Sequence, residues 1–222
     1  MVIVDFPPSA DIERIGRQTG WAGRQVVAAA LVLVQHPLTV LDVGAKDGWL
    51  VRYLQRLGIV AIGVDLSPTS RDVLRADARR LPFLTGSVSV VALFDVIEHL
   101  PQPRDTLALC SRHLKPGGII VLTTGDFAAL TARWAGAKWR LMTPPQHLWF
   151  FTGESLRRMA PPLGLSMEHF DHPGKIVPLS LIVFQLKRMI GMRGSQLPTA
   201  SRIGVPVNLF DAMRVVLRKG TI

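Results

Sequence analysis

The chain has 222 residues, 48% of them hydrophobic, with a formal net charge of +10 and one cysteine. That length suits one domain with a continuous core better than two small ones, and a lone Cys110 excludes both an intrachain disulfide and a thiolate zinc cluster. The apolar runs Val26–Val34 and Ile176–Leu186 fall short of the ~20 residues that a spanning helix needs, and Met1–Asp5 does not open a basic-then-apolar leader, so a cytoplasmic location is expected.

From the start of the chain, Ser9 is placed to cap a short helix ending at Arg17, and Gly23–His36 carries Val26, Val27, Ala30, Leu31 and Val34 on one helical stripe before Pro37 stops it. Residues 1–37 are thus read as N-terminal helices. Thr39–Val43 is a short β-rich run followed by a glycine-containing turn. Leu50, Leu54 and Leu57 then repeat at helical spacing, and Gly58 closes that helix. Val60–Asp65 and Asp72–Asp77 read as the second and third strands. Only Leu66 to Arg71 separate them, too few for a crossover helix, so a turn or loop is expected there.

Val88–Phe94 predicts a fourth strand, Arg104–His113 a helix, and Gly118–Thr123 a fifth strand entered through the turn Lys115-Pro-Gly-Gly118. Thr152 is expected to cap a helix reaching Ala160, and Ser166–Phe170 and Ala212–Leu217 close the sheet. Strands rich in Val, Ile and Leu without clean alternation, interleaved with helices, indicate a largely parallel sheet covered on both faces, an α/β/α sandwich. Between the last two strands lies a long stretch, 171–205, read as a lid-like insertion. In it, Lys175–Arg193 has Pro178 where the first turn of a helix tolerates proline.

In open α/β sheets, ligands sit beyond the carboxyl ends of the strands. Three of those ends carry acids: Asp42, Asp65 and Asp77. The turn after the first strand has Gly44 and Gly48, but Lys46 and Trp49 occupy the other positions of a G-x-G-x-x-G nest counted from Gly44. A pyrophosphate would want that full nest; a phosphate-free nucleoside does not.

Leu41-Asp-Val-Gly-Ala-Lys-Asp-Gly48 resembles the first motif of the class I methyltransferases, with Lys46 standing where the family usually has glycine. The resemblance implies a Rossmann-like fold of seven mostly parallel strands with an antiparallel last strand, and S-adenosylmethionine as cofactor. By the same resemblance, Asp42, Gly44 and Gly48 form the cofactor loop, and Asp65, followed by Leu66, takes the ribose hydroxyls. Ala76-Asp-Ala-Arg-Arg-Leu-Pro-Phe83 resembles the family segment in which Asp77 and the backbone N–H of Ala78 meet the adenine. Phe94-Asp-Val-Ile-Glu-His-Leu100 resembles the motif bordering cofactor and acceptor, and Phe94 is placed near the adenine or in the core. Trp139, Pro144-Pro-Gln-His147, Phe150–Leu156 and Val205–Asp211 look like a bacterial subgroup associated with glycans, lipids and secondary metabolites.

Methyl transfer from a sulfonium is a displacement at carbon, so the protein must align the acceptor and, for a hydroxyl, take its proton. His99 is the first candidate base, since a free imidazole is largely neutral at working pH, and His147 is the second, in the acceptor pocket. Lys46 is a candidate contact for the cofactor's carboxylate. His169 and His172 have a metal-like spacing, yet only Glu168 and Asp171 lie near them in sequence, so they read as surface residues and no metal is expected.

The expected function is O-methylation of a small molecule or of a glycan- or lipid-linked intermediate. An RNA methyltransferase and a non-catalytic cofactor- or partner-binding protein are the alternatives. Lys175 to Ile222 holds eight basic residues against Asp211 alone, which favours an anionic partner such as a membrane surface; nucleic acid is disfavoured because no appended RNA-binding motif is found.

Overall fold

A computed structural model of the chain describes residues 39–77, 84–178 and 204–221. The expected N-terminal helices lie outside the described residues. Seven strands form one sheet: β1 (Thr39–Val43), β2 (Val60–Asp65), β3 (Val73–Arg75), β4 (Val88–Phe94), β5 (Leu114–Gly125), β6 (Leu165–Asp171) and β9 (Ala212–Lys219). Their order is β3-β2-β1-β4-β5-β9-β6. β1 to β5 pair in parallel, and β9 runs antiparallel to both β5 and β6. The expected seven-stranded, mostly parallel sheet with an antiparallel last strand is therefore present.

Alternate residues along the central strands feed two cores. Leu41, Val91, Leu93, Ile120, Leu122 and Val215 pack on one face with Leu107 and Cys110 of α2 (Pro103–His113) and Leu156 of α4 (Gly153–Met159), the helix that follows α3 (Leu130–Ala135). Val40, Val90, Ala92, Ile119 and Val121 pack on the other with Leu50, Val51 and Leu54 of α1 (Trp49–Arg56). Such strands can be apolar throughout because neither face meets water. Cys110 is fully buried and its thiol is pushed up to about 12 by desolvation, which leaves it an inert core residue.

Local signals place the helix ends well. Thr152 Oγ1 accepts from the Ser155 N–H at 3.0 Å while Ser155 Oγ accepts from the Thr152 N–H at 2.9 Å, a reciprocal cap on α4. Gly58, at φ 75°, donates to the Gln55 carbonyl and ends α1.

Three expectations shift. β5 begins at Leu114 rather than Gly118, with the Lys-Pro-Gly-Gly turn bulged out between the pairs Val88–Leu114 and Val90–Ile119. β3 is only three residues long. Pro178 does not open a helix: β7 (Lys175–Pro178) pairs antiparallel with β8 (Gly204–Val207) as a separate two-stranded ladder at the root of the insertion. The next strand claims the backbone groups that a first helical turn would have used.

The short link between β2 and β3 is a turn, as expected, even though the strands are parallel. It is laced to the loop after β1. The Lys46 carbonyl accepts from the Thr69 N–H at 2.9 Å, and Arg52 of α1 donates to Asp72 at 3.0 Å and to the Asp47 carbonyl at 2.7 Å. The Arg52 hydrogen bond holds the exposed Asp72 carboxyl below its usual range.

Candidate active site

Because β3, β2 and β1 are neighbours, Asp77, Asp65 and Asp42 come from adjacent strand tips on one rim. The loop that follows β1 turns through Gly44, Lys46 and Gly48, all with positive φ (81°, 45° and 72°). A Cβ at Gly44 would sit 2.4 Å from Val96 Cγ2, and one at Gly48 would sit 2.8 Å from Val73 Cγ2. The two glycines are thus required both by conformation and by close approach. The Gly44 and Ala45 N–H groups both donate to the Val64 carbonyl, at 2.8 and 3.1 Å, tying the loop to β2.

Asp65 is half-buried at the end of β2. Its Oδ2 accepts from the Lys46 N–H at 3.1 Å and its Oδ1 from the Ser67 N–H at 2.7 Å. An ionised carboxylate has about four acceptor positions, so this side chain is oriented by two loops and still has capacity for a diol. Leu66 beside it is 64% exposed, an apolar surface suited to a flat ring. Asp42 is buried, and its carboxyl is pushed up to about 7, chiefly by burial and then by the charges of Asp47 and Asp65. A rim this acidic and without an anion nest fits a cationic adenosine compound better than a dinucleotide.

Lys46 turns its side chain to the β2–β3 link. Its Nζ donates to the Ser67 carbonyl at 2.9 Å, so the residue in the family's glycine position fastens the first loop to the β2–β3 link. Asp77 lies just past β3, where the Ala76 N–H donates to the Asp65 carbonyl at 3.0 Å. Ala78 lies outside the described residues. Phe94 is half-buried and packs on the core cluster of Leu50, Val51 and Val90.

Beyond β4 the chain turns through Asp95, whose φ is 52°, into a single 3-10 turn, Ile97–His99. Thr123 Oγ1 donates to Asp95 Oδ1 at 3.0 Å, which joins the tips of β4 and β5. The turn is also tied to the Pro144-Pro-Gln-His147 loop, for the Leu148 N–H donates to the Glu98 carbonyl at 2.9 Å. His99 and His147, 48 positions apart in sequence, stack edge to face with ring centroids 4.8 Å apart. The Nδ1 of His99 lies 2.6 Å from the Gln146 carbonyl, and that of His147 lies 2.7 Å from the Leu141 carbonyl. A carbonyl can only accept, so both neutral rings carry the proton on Nδ1 and present Nε2 as a lone pair.

Glu98, which follows the fourth strand with His99 where a catalytic or acceptor-binding side chain is expected to project, completes this cluster. It is 4% exposed, its Oε2 has no hydrogen-bond partner, and burial raises its carboxyl above the ordinary range. Ligand atoms of Glu98, His99 and His147 lie within 4.8 Å of one another. The set can share a proton or hold a small divalent cation, so the metal-capable cluster differs from the His169 and His172 pair considered from spacing. Those two histidines are placed otherwise: His169 lies 3.3 Å from Asp171, and His172 bonds Asp126 at 2.8 Å.

Trp139, part of the subgroup resemblance, is 4% exposed, and its Nε1 donates to Asp211 Oδ2 at 3.1 Å. Arg140 grips the same carboxylate with two bonds, at 2.9 and 2.7 Å. Asp211, just before β9, therefore anchors the loop that carries His147. Of the basic residues late in the chain, Arg214 pairs with Asp171 at 2.9 and 2.6 Å, Arg218 pairs with Glu168, and Lys219 donates to the Leu114 carbonyl at 2.8 Å. These three cations are spent inside the sheet, so they do not form the free basic field expected from sequence.

A family model described as a methyltransferase domain matches residues 8–170. The chain belongs to this methyltransferase family. With that membership comes the expected donor, S-adenosylmethionine. Among curated proteins, the ubiquinone biosynthesis O-methyltransferase of Nitrosococcus oceani is 32% identical over 100 residues, covering 38% of this chain and 42% of that protein. The Caulobacter vibrioides protein of the same name is 30% identical over 147 residues, covering 54% and 56%. The chain thus spans about half or less of the length of these relatives. Two solved structures share the methyltransferase fold. A Haloferax volcanii chain solved with the Trm112 methyltransferase activator has a TM-score of 0.62 at 18% identity, covering 96% of this chain and 94% of that one. An Archaeoglobus fulgidus SAM-dependent methyltransferase has a TM-score of 0.58 at 16% identity, covering 89% and 93%.

Proposed function

We propose that this methyltransferase transfers a methyl group from S-adenosylmethionine to a hydroxyl oxygen of a small molecule. The observation that carries the oxygen assignment is the pair His99 and His147, each with Nδ1 on a backbone carbonyl and Nε2 left basic. S-adenosylmethionine would be held by the Gly44–Gly48 loop, Asp65 and Asp77, and when bound it supplies an electrophilic methyl on sulfur.

His99 accepts the hydroxyl proton as the oxygen forms its bond to carbon, and the electron pair of the broken carbon–sulfur bond stays on sulfur. Glu98, buried beside the rings, offsets the charge of the imidazolium that results. The names of the relatives, O-methyltransferases of ubiquinone biosynthesis, support an oxygen acceptor. Neither alternative function has an observation in its favour.

The test is thermal denaturation with and without S-adenosylmethionine. At about 100 times its dissociation constant a ligand adds roughly 2.7 kcal/mol to stability. The wild type should show that rise, and Asp65→Ala should lose most of it. An equal rise in both proteins rejects the ribose assignment, and no rise in the wild type rejects the cofactor site. A glycan- or lipid-linked acceptor would bring the protein to an anionic surface through Lys187, Arg188, Arg193 and Arg202, which lie outside the described residues. Cosedimentation with phosphatidylglycerol vesicles, compared with phosphatidylcholine, tests that finer reading.

A further inference from the structure

Asp65 is oriented by two segments that meet only at its carboxylate and around one arginine. The Lys46 N–H that reaches Oδ2 at 3.1 Å belongs to the loop after β1, and the Ser67 N–H that reaches Oδ1 at 2.7 Å belongs to the β2–β3 link. The direction of the carboxylate therefore depends on how loop and link sit against each other. A helical crossover normally fixes the connection between parallel strands. Here residues 66–72 join β2 to β3 without one, so the link takes its position from side chains.

Arg52 of α1 supplies the tie. Its Nη1 donates to the Asp47 carbonyl at 2.7 Å on the loop side, and to Asp72 Oδ2 at 3.0 Å and Ser70 Oγ at 3.3 Å on the link side. Ser70 Oγ in turn donates to Asp72 Oδ2 at 3.1 Å, which joins the two link acceptors. The approach is open because position 48 has no side chain: a Cβ at Gly48 would lie 3.3 Å from Arg52 Nη1 and 3.6 Å from Asp72 Cβ. The side chains of Arg52 and Asp72 are 38% and 51% exposed, and an ion pair so open to water adds little to folding. What it does fix is the spacing between the two segments that aim Asp65.

We propose that Arg52 is a positioning residue for the cofactor: by clamping loop to link it keeps the Lys46 and Ser67 N–H groups trained on Asp65, and so holds that carboxylate in line for both ribose hydroxyls. This rests on the reading of Asp65 as the ribose ligand and goes beyond it. Selectivity for an intact ribose diol is assigned to a side chain that acts through two backbone N–H groups. Without the guanidinium, the link and its Ser67 N–H shift relative to the loop, the carboxylate turns, and one hydroxyl loses its acceptor.

The experiment measures, by calorimetry on the full chain, the affinities for S-adenosylhomocysteine and for its 2′-deoxy analogue. The wild type should prefer the intact ribose by about tenfold, the lower end of what a hydrogen bond to a charged group is worth. Arg52→Met keeps the aliphatic stem; it should weaken S-adenosylhomocysteine about fivefold, the upper end for an exposed pair, and leave the deoxy analogue nearly unchanged. The preference for the diol then shrinks, whereas a general loosening of the fold would weaken both ligands alike. Asp72→Ala should act in the same direction, and the double variant should bind no worse than Arg52→Met. Urea midpoints should stay close to that of the wild type throughout. An undiminished preference in Arg52→Met, equal losses for the two ligands, or multiplicative losses in the double variant would overturn the proposal. If the wild type shows no preference, or Asp65→Ala keeps it, the ribose assignment itself falls and takes this inference with it.

Discussion

The backbone N–H of Lys46 donates to Oδ2 of Asp65 at 3.1 Å, while the Lys46 ammonium donates to the Ser67 carbonyl at 2.9 Å. One residue thus aligns the carboxylate proposed to bind ribose and pins the turn that replaces a crossover helix. The lysine that departs from the family's glycine pattern is, in this chain, a brace for the loop after β1.

Replacing it tests that role. Lys46→Gly relieves a left-handed backbone at φ 45°, worth about 1 kcal/mol for a non-glycine residue, but loses an exposed hydrogen bond and adds chain entropy of similar size. Stability in urea should change by less than about 1 kcal/mol, and cofactor affinity should stay within threefold by calorimetry. A large drop in affinity would mean that the ammonium serves the ligand directly.

Asp42 predicts a pH dependence with a definite sign. Its folded pKa of about 7 lies above the unfolded value near 3.8, so between those values the folded state binds more protons than the unfolded one. Stability therefore falls as pH rises from about 4 to 7 and is level above that. Each pKa unit is worth about 1.4 kcal/mol, so the total loss across this window from this group alone amounts to a few kcal/mol. Asp42→Asn should flatten the profile, measured by urea denaturation at several pH values. A variant whose profile matches that of the wild type would refute the assignment.

The histidine pair should behave as a unit. With any hydroxyl acceptor that turns over, His99→Ala should lower kcat by about 100-fold, the lower end of what general base catalysis contributes. Because the rings lie 4.8 Å apart, adding His147→Ala should cost less than the product of the two single effects. Strictly multiplicative losses in steady-state rates would show that the rings act independently.

Asp211 should matter for folding more than for chemistry. It is 2% exposed and holds both Trp139 and Arg140. Asp211→Ala strands a guanidinium and a buried indole N–H, costing about 3 kcal/mol. The drop should appear in thermal unfolding without ligand. A change below 0.5 kcal/mol, the range of an ordinary surface substitution, would contradict the anchoring role.

Much of this molecule was legible along the chain because its determinants are local. Val, Ile and Leu runs mark strands buried on both faces. Thr152 and Ser155 cap a helix within four residues, and glycines at Gly44 and Gly48 announce a turn that only such residues adopt easily. The interval between Asp65 and Val73 is too short for a helix, and a turn follows from chain length alone.

What only the tertiary structure decided are encounters between side chains distant in sequence. Nothing near Glu98 in the sequence marks its buried oxygen or the approach of His147, and nothing near Asp126 points to His172, 46 positions later. Likewise, Arg214, Arg218 and Lys219 read as free charge until β6 and β5 bring Asp171, Glu168 and the Leu114 carbonyl beside them. Periodicity and turn chemistry determine which element forms, since they act over a few residues. Strand order determines which charges meet, and in this sheet that order places β9 between β5 and β6.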